Sequence, residues 1–179
     1  MKSDLPLIYV LLATFNGAKH LNLQLQSIAD QNHVCVKVIA NDDGSSDDTM
    51  KILEKWKESG LIEKISTSDR KGPTSAFLAL LKESSEFEFV AFSDQDDIWL
   101  EYKLFNSINS IYTKNFDLYC SNLMLWDEDN NNKRILKKGL NEMVFDIVDE
   151  CYFIQIADPN KLKATEKLIT EVADFQDDQ

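Results

Sequence analysis

The chain has 179 residues, 44% hydrophobic and 28% charged, a balance that suits one folded domain and excludes a fibrous or disordered chain. Its formal net charge of −12 excludes the basic face that nucleic acid requires, but not a nucleotide whose phosphates reach acidic side chains through a cation. Three cysteines without CxxC spacing (Cys35, Cys120, Cys151) fit a reducing compartment better than a disulfide framework or a zinc site.

Met1–Asp4 leads straight into a strand-like run, and no apolar stretch approaches the length of a membrane span. A signal peptide is therefore not expected. The expected location is the cytoplasm, compatible with peripheral association at the inner face of the membrane.

Leu7–Ala13 is a short run of β-formers and reads as a buried strand, followed by Leu21, Leu25 and Ile28 at helical spacing. Val34–Ala40 is a second strand, closed by the turn Asp42-Asp43-Gly44-Ser45-Ser46. Asp47 is placed to cap a helix carrying Ile52, Leu53 and Trp56, which Ser59-Gly60 stops. Ile62–Ser66 is a third strand, and Phe77, Leu80 and Leu81 mark a helix after Pro73. Glu88–Phe92 is a fourth strand, ending at Ser93-Asp94-Gln95-Asp96-Asp97. Leu100, Leu104, Ile108 and Ile111 form another helical stripe, and Leu118–Leu123 another strand. Met124–Trp126 and Arg134–Leu136 suit a hairpin around the polar loop Asp127–Asn132, which lacks the glycine and final glutamate of a calcium loop. Asp158-Pro159 is placed to start a last helix carrying Leu162, Leu168, Ile169 and Val172. The organisation expected is a core over residues 1–126 and a short C-terminal part, a hairpin plus a terminal helix, over residues 127–179.

Strands alternating with helices predict an α/β fold with a mostly parallel sheet, whose ligands bind beyond the carboxyl ends of the strands. Asp42-Asp43 follows the second strand and Asp94-Gln95-Asp96-Asp97 the fourth, so both acidic clusters fall at the same edge of the sheet. Asp94-x-Asp96 suits Mg2+ or Mn2+, which favour oxygen ligands and are commonly held by one or two carboxylates plus substrate phosphates. A solvated acidic turn before the next helix is the plainer account of the same residues. For Asp42 and Asp43 the functional reading is a carboxylate accepting a base N–H, against a simple turn and cap. Phe15, at the end of the first strand, suits either a core position or the face of a nucleotide base. Asp69-Arg70-Lys71-Gly72-Pro73 is the one basic, turn-rich stretch before a helix and suits a base or phosphate contact. His20 and His33 are assigned no role. Neither a P-loop nor GxGxxG occurs. An aspartyl-phosphate phosphatase aligned on Asn41-Asp42-Asp43-Gly44 would have asparagine as its nucleophile.

In order, Ala13-Thr14-Phe15-Asn16-Gly17, then Leu25-Gln26-Ser27-Ile28 with Gln31, then Asp42 through Thr49, resemble family 2 inverting glycosyltransferases. Ser93-Asp94-Gln95-Asp96-Asp97-Ile98-Trp99, with Lys103 and Leu104, looks like the family's rhamnosyltransferase-like branch; the resemblance spans about Leu7 to Asp127. It implies a GT-A fold, with a mostly parallel sheet flanked by helices. It also implies a nucleotide-diphospho-sugar donor (a UDP- or dTDP-sugar) and Mn2+ or Mg2+. The acceptor implied is a glycan or lipid-linked chain, and the product a surface polysaccharide. By position, Ala13, Phe15, Asp42 or Asp43, and Arg70 would meet the base. Asp94 would face the ribose or sugar, and Asp96 would ligate the metal, with Asp94 beside it. Phe15 stands where the family more often has tyrosine. Family members run well beyond this length and carry the acceptor site and general base in their later half; by position alone, Asp146, Asp149 and Glu150 are the candidates for that base. The alternative is a glycosyltransferase-like domain that binds donor without efficient transfer.

Overall fold

A computed structural model of the chain describes residues 5–67, 72–84, 87–114, 118–120, 124–127, 132–135 and 152–155. The elements run β1 (Leu7–Thr14), α1 (Ala18–Ala29), β2 (Cys35–Asp42), α2 (Thr49–Glu58), β3 (Ile62–Thr67), α3 (Pro73–Glu83), β4 (Phe89–Ser93) and α4 (Lys103–Lys114). Four short strands follow: β5 (Leu118–Cys120), β6 (Met124–Asp127), β7 (Asn132–Ile135) and β8 (Tyr152–Gln155).

The central sheet has the order β3-β2-β1-β4-β8-β5. Its first four strands are parallel, and β8 lies antiparallel between β4 and β5. Both faces of β1 are covered, which is why its sequence is a continuous apolar run instead of an alternating one. Ile8, Val10 and Leu12 turn to one side, where Leu21, Leu25 and Ile28 of α1, Leu53 of α2 and Leu104 and Ile108 of α4 meet them. Leu11 and Ala13 turn to the other, against Ala76, Phe77, Leu80 and Leu81 of α3. These faces follow from connection handedness. The chain steps from β1 through β2 to β3 with α1 and α2 on one face. It then crosses back to β4 on the far side of β1, so a right-handed crossover carries α3 to the opposite face. The strand order therefore reverses between β1 and β4, and ligand crevices form outside strand ends at such a reversal.

The first four strands, the helices α1 to α3 and the β6–β7 hairpin match the expectations. Three details differ. Leu100 is 73% exposed and precedes α4, so the buried stripe starts at Leu104. Asp48 occupies the cap position of α2 and makes no side-chain cap bond, and the expected Asp47 caps from one residue earlier, accepting from the Thr49 N–H. The strand β8 was not anticipated; it brings a segment beyond residue 126 into the central sheet. The expected terminal helix after Asp158 lies outside the described residues. No helix among the described residues is long and apolar enough to cross a membrane.

Candidate functional site

At the reversal point the carboxyl ends of β1, β2 and β4 and the start of α3 enclose a cavity of about 370 Å³, within the usual range for small-molecule sites. Ala13, Thr14, Phe15, Asp43, Gly72, Pro73, Ala76, Asp94 and Gln95 line it. Four residues singled out from the sequence (Ala13, Phe15, Asp43 and Asp94) thus stand around one opening.

The two neighbouring aspartates have separate placements. Asp42, the last residue of β2, is buried, and its carboxylate is consumed within the turn. Its Oδ1 accepts from the hydroxyls of Thr14 (2.9 Å) and Ser45 (2.6 Å), and its Oδ2 from the backbone N–H groups of Gly44 (3.1 Å) and Ser45 (2.8 Å). Gly44 takes a φ of 83°, the left-handed conformation that lets this turn close. Asp43 faces the cavity instead. Its Oδ2 accepts from the Gly72 N–H at 2.7 Å, while its Oδ1 is buried without a hydrogen-bond partner among the described residues. A buried carboxylate oxygen left unpaired costs free energy, and a ligand N–H would relieve that cost.

The loop after β1 and the loop after β2 are stitched together. The Asn16 N–H donates to Ser45 Oγ (2.8 Å), the Ser46 N–H to Asn16 Oδ1 (2.9 Å), and the Gly17 N–H to Thr49 Oγ1 (2.9 Å). Asp47 accepts from the first backbone N–H of α2 (Thr49, 3.0 Å) and the first of α1 (Ala18, 3.1 Å). It serves two helix starts at once. The Thr49 hydroxyl, followed by these backbone bonds, holds the Asp47 carboxyl below the ordinary carboxylate range. Asn16, Ser45, Ser46, Asp47 and Thr49 therefore build the scaffold that leaves Phe15 at the rim, 51% exposed.

The turn after β4 is held from two sides. On the α1 side, buried Gln24 donates to Ser93 Oγ, and the Trp99 N–H donates to Ser27 Oγ at 3.0 Å. Gln31 donates to the Leu100 carbonyl (2.8 Å) and accepts from the Leu104 N–H (3.0 Å). On the β1 side, Gln95 Oε1 accepts from the Phe15 N–H (2.8 Å), and Gln95 Nε2 donates to the Phe15 carbonyl (3.0 Å). Asp94 is half-buried at the cavity wall, and Asp96 is exposed on the same turn.

Arg70, Asp146, Asp149 and Glu150 lie outside the described residues. Among the described residues no group of three or more His, Cys, Asp or Glu side chains gathers as a metal site. Asp94 and Asp96 are a two-carboxylate set of hard oxygen donors, which suits Mg2+ or Mn2+ when substrate phosphates complete the coordination. Sequence reading assigned no role to Gln95 or Thr14. For Gln95, the available signal was its position between two aspartates at a strand end.

Comparison with known proteins follows the same lines. The profile of Glycosyl transferase family 2 matches residues 9–165. The dTDP-rhamnosyl transferase RfbG of Shigella flexneri is 30% identical over 153 residues, 83% of this chain and 51% of that protein. The Escherichia coli UDP-Glc:alpha-D-GlcNAc-diphosphoundecaprenol beta-1,3-glucosyltransferase WfaP is 31% identical over 108 residues, 60% of this chain and 42% of that protein. The chain thus spans about half the length of these curated relatives. Among solved structures, S. aureus TarS 1-349 in complex with UDP is similar at a TM-score of 0.56 and 30% identity, covering 62% of this chain and 33% of that one. The mannosyltransferase PcManGT of Pyrobaculum calidifontis shares the fold at a TM-score of 0.57 and 22% identity, over 65% of this chain and 35% of that one.

Proposed function

The chain belongs to glycosyl transferase family 2, and from that premise we propose that its cavity binds the nucleotide of a UDP- or dTDP-sugar for transfer to a glycan or lipid-linked acceptor. The observation that carries this reading is the unpartnered, buried Oδ1 of Asp43 beside the exposed ring of Phe15. A carboxylate oxygen can only accept, so it favours a base whose N3 carries a hydrogen, as in uracil and thymine, over cytosine, whose N3 is a bare lone pair. Phe15 supplies a ring face for that base, and Ala13 a small side chain at the cavity wall. The similarity to a rhamnosyl and a glucosyl transferase and to TarS with UDP supports the same donor class.

Two aspartates, Asp43 and Asp94, stand in the cavity wall, and the chain carries a net charge of −12. A diphosphate does not approach such a rim without a cation, so Asp94 and Asp96 are assigned to hold Mn2+ or Mg2+ together with the phosphates. A divalent ion bound there supplies electrostatic stabilisation of the charge on the leaving diphosphate. In the inverting reaction proposed, the acceptor oxygen bonds to the anomeric carbon, the carbon–diphosphate bond breaks on the opposite face, and a carboxylate takes the acceptor proton. Asp146, Asp149 and Glu150 remain the candidates for that carboxylate. The reaction is placed at the cytoplasmic side of the membrane, in surface polysaccharide synthesis.

Thermal melts with UDP or dTDP test the donor reading. At about a hundred times its dissociation constant a ligand adds roughly 2.7 kcal/mol, which raises Tm by roughly 5–11 °C for a chain of this size. Asp96→Ala should remove the part of the shift that depends on Mn2+. No shift with any nucleoside diphosphate, with or without metal, would contradict donor binding.

A further inference from the structure

We propose that Gln95 is a positioning residue that couples the base wall of the cavity to the carboxylates of the 94–97 turn. The inference rests on the donor-binding reading above and assigns a role to a residue which that reading leaves without one. Gln95 stands between Asp94 and Asp96, yet its side-chain amide is spent on the backbone of Phe15. One oxygen accepts from the Phe15 N–H at 2.8 Å, and one nitrogen donates to the Phe15 carbonyl at 3.0 Å, across 80 positions of sequence. The two bonds reproduce a rung of sheet pairing, with the glutamine amide in place of a backbone amide. They fix both the distance and the rotation between Phe15 and the acidic turn.

Gly17 supplies an independent sign of the same contact. Its φ of −98° is a conformation that any residue adopts, so no backbone demand requires a glycine there. What the missing side chain provides is space, because a Cβ on Gly17 would fall on Oε1 and Cδ of Gln95. The glycine of the first loop is thus shaped around the glutamine of the last. The opposite side of the turn is already fastened to α1 through Ser27 and Gln31. Gln95 adds the tie to the nucleotide side. A base seated on Phe15 thereby finds Asp94 and Asp96 already placed for the cation–diphosphate pair, and the ordering cost of bringing them together is met in folding.

The test is a calorimetric titration of UDP, with and without Mn2+, into the 179-residue chain and its Gln95→Ala, Gly17→Ala and doubly substituted variants, with melts confirming that each is folded. The wild-type chain should bind UDP more tightly with Mn2+ by a coupling factor of about 5–150-fold, the usual span for linked sites. Gln95→Ala should lose most of that gain, a larger loss than any it causes in the metal-free UDP affinity. Gly17→Ala should do the same by displacing the Gln95 amide, and the double variant should be no worse than Gln95→Ala alone, because both changes break one contact. If Gln95→Ala fails to fold, Gly17→Ala carries the comparison. A wild-type Mn2+ gain in both single variants, or strictly additive losses in the double, would overturn the coupling role. Absence of UDP binding by the wild-type chain would instead overturn the donor reading, and this inference with it.

Discussion

Replacing Asp43 by asparagine should invert the base preference of the cavity, because the two atoms at the end of this side chain have unequal tasks. One oxygen must accept from the Gly72 N–H, 2.7 Å away, and the other is buried with no partner among the described residues. Asparagine has a single acceptor oxygen, and Gly72 offers only a donor, so the amide oxygen is drawn to Gly72 and the NH2 group turns into the cavity. A uracil N3–H then meets another donor. The lost bond is one to a charged acceptor, about 1.5–3 kcal/mol, which weakens UDP by about 10–150-fold at 1.4 kcal/mol per factor of ten. Cytosine presents a lone pair at N3 and gains a donor, so CDP should tighten in the same variant. Titration calorimetry of UDP and CDP against both proteins measures the ratio directly, and melting temperatures check that the variant is folded. Equal weakening of both nucleotides would mean that the pocket had merely been disturbed. Unchanged UDP affinity would refute the role given to Asp43.

The adjacent carboxylate should behave otherwise. Asp42→Ala strands the Thr14 hydroxyl in the interior and undoes four hydrogen bonds, so it should destabilise the fold by about 3 kcal/mol in chemical denaturation. Phe15→Ala removes a half-exposed ring and should weaken UDP by the worth of one base–aromatic contact, about 1–3 kcal/mol, while inorganic pyrophosphate binding stays unchanged; equal weakening of both would mean that the substitution had merely disturbed the site. Asp47 has a depressed pKa in the folded chain, so its contribution is fully present above the ordinary carboxylate range and lost as pH falls through the lowered value. The melting temperature of the wild type should therefore exceed that of Asp47→Asn at neutral pH, with the gap closing below pH 3.8, and a pH-independent gap would contradict the assignment.

The parallel half of the sheet was legible because its strands are short apolar runs alternating with helices of one period, and each carboxyl end is marked by turn chemistry. Asp43 and Asp94 could be brought to one edge on that basis alone. Four things could not be read. Tyr152–Gln155 is a four-residue strand, paired antiparallel between β4 and β5, and so short an apolar run gives no periodicity to place it in a distant sheet. Leu100 fits the helical stripe by spacing, yet it belongs to the loop whose carbonyl is bound by Gln31. The division of labour between Asp42 and Asp43 depends on which side chain turns inward at the end of β2, a one-residue matter that strand alternation fixes and composition does not. Gln95 was hidden for a similar reason. Its partner is a backbone, which leaves no residue type to recognise.

In the proposed complex a nucleoside diphosphate seats at the ends of β1, β2 and β4 with its base on Phe15 and Asp43. A difference spectrum of backbone amide NMR signals on titrating UDP in the presence of Mg2+ tests it most directly. Saturable shifts are expected at residues 13–17, 43–45, 72, 74–76 and 94–96, with the Gly72 amide among them because it shares the Asp43 carboxylate. Shifts confined to other surfaces, or none at millimolar UDP, would contradict it.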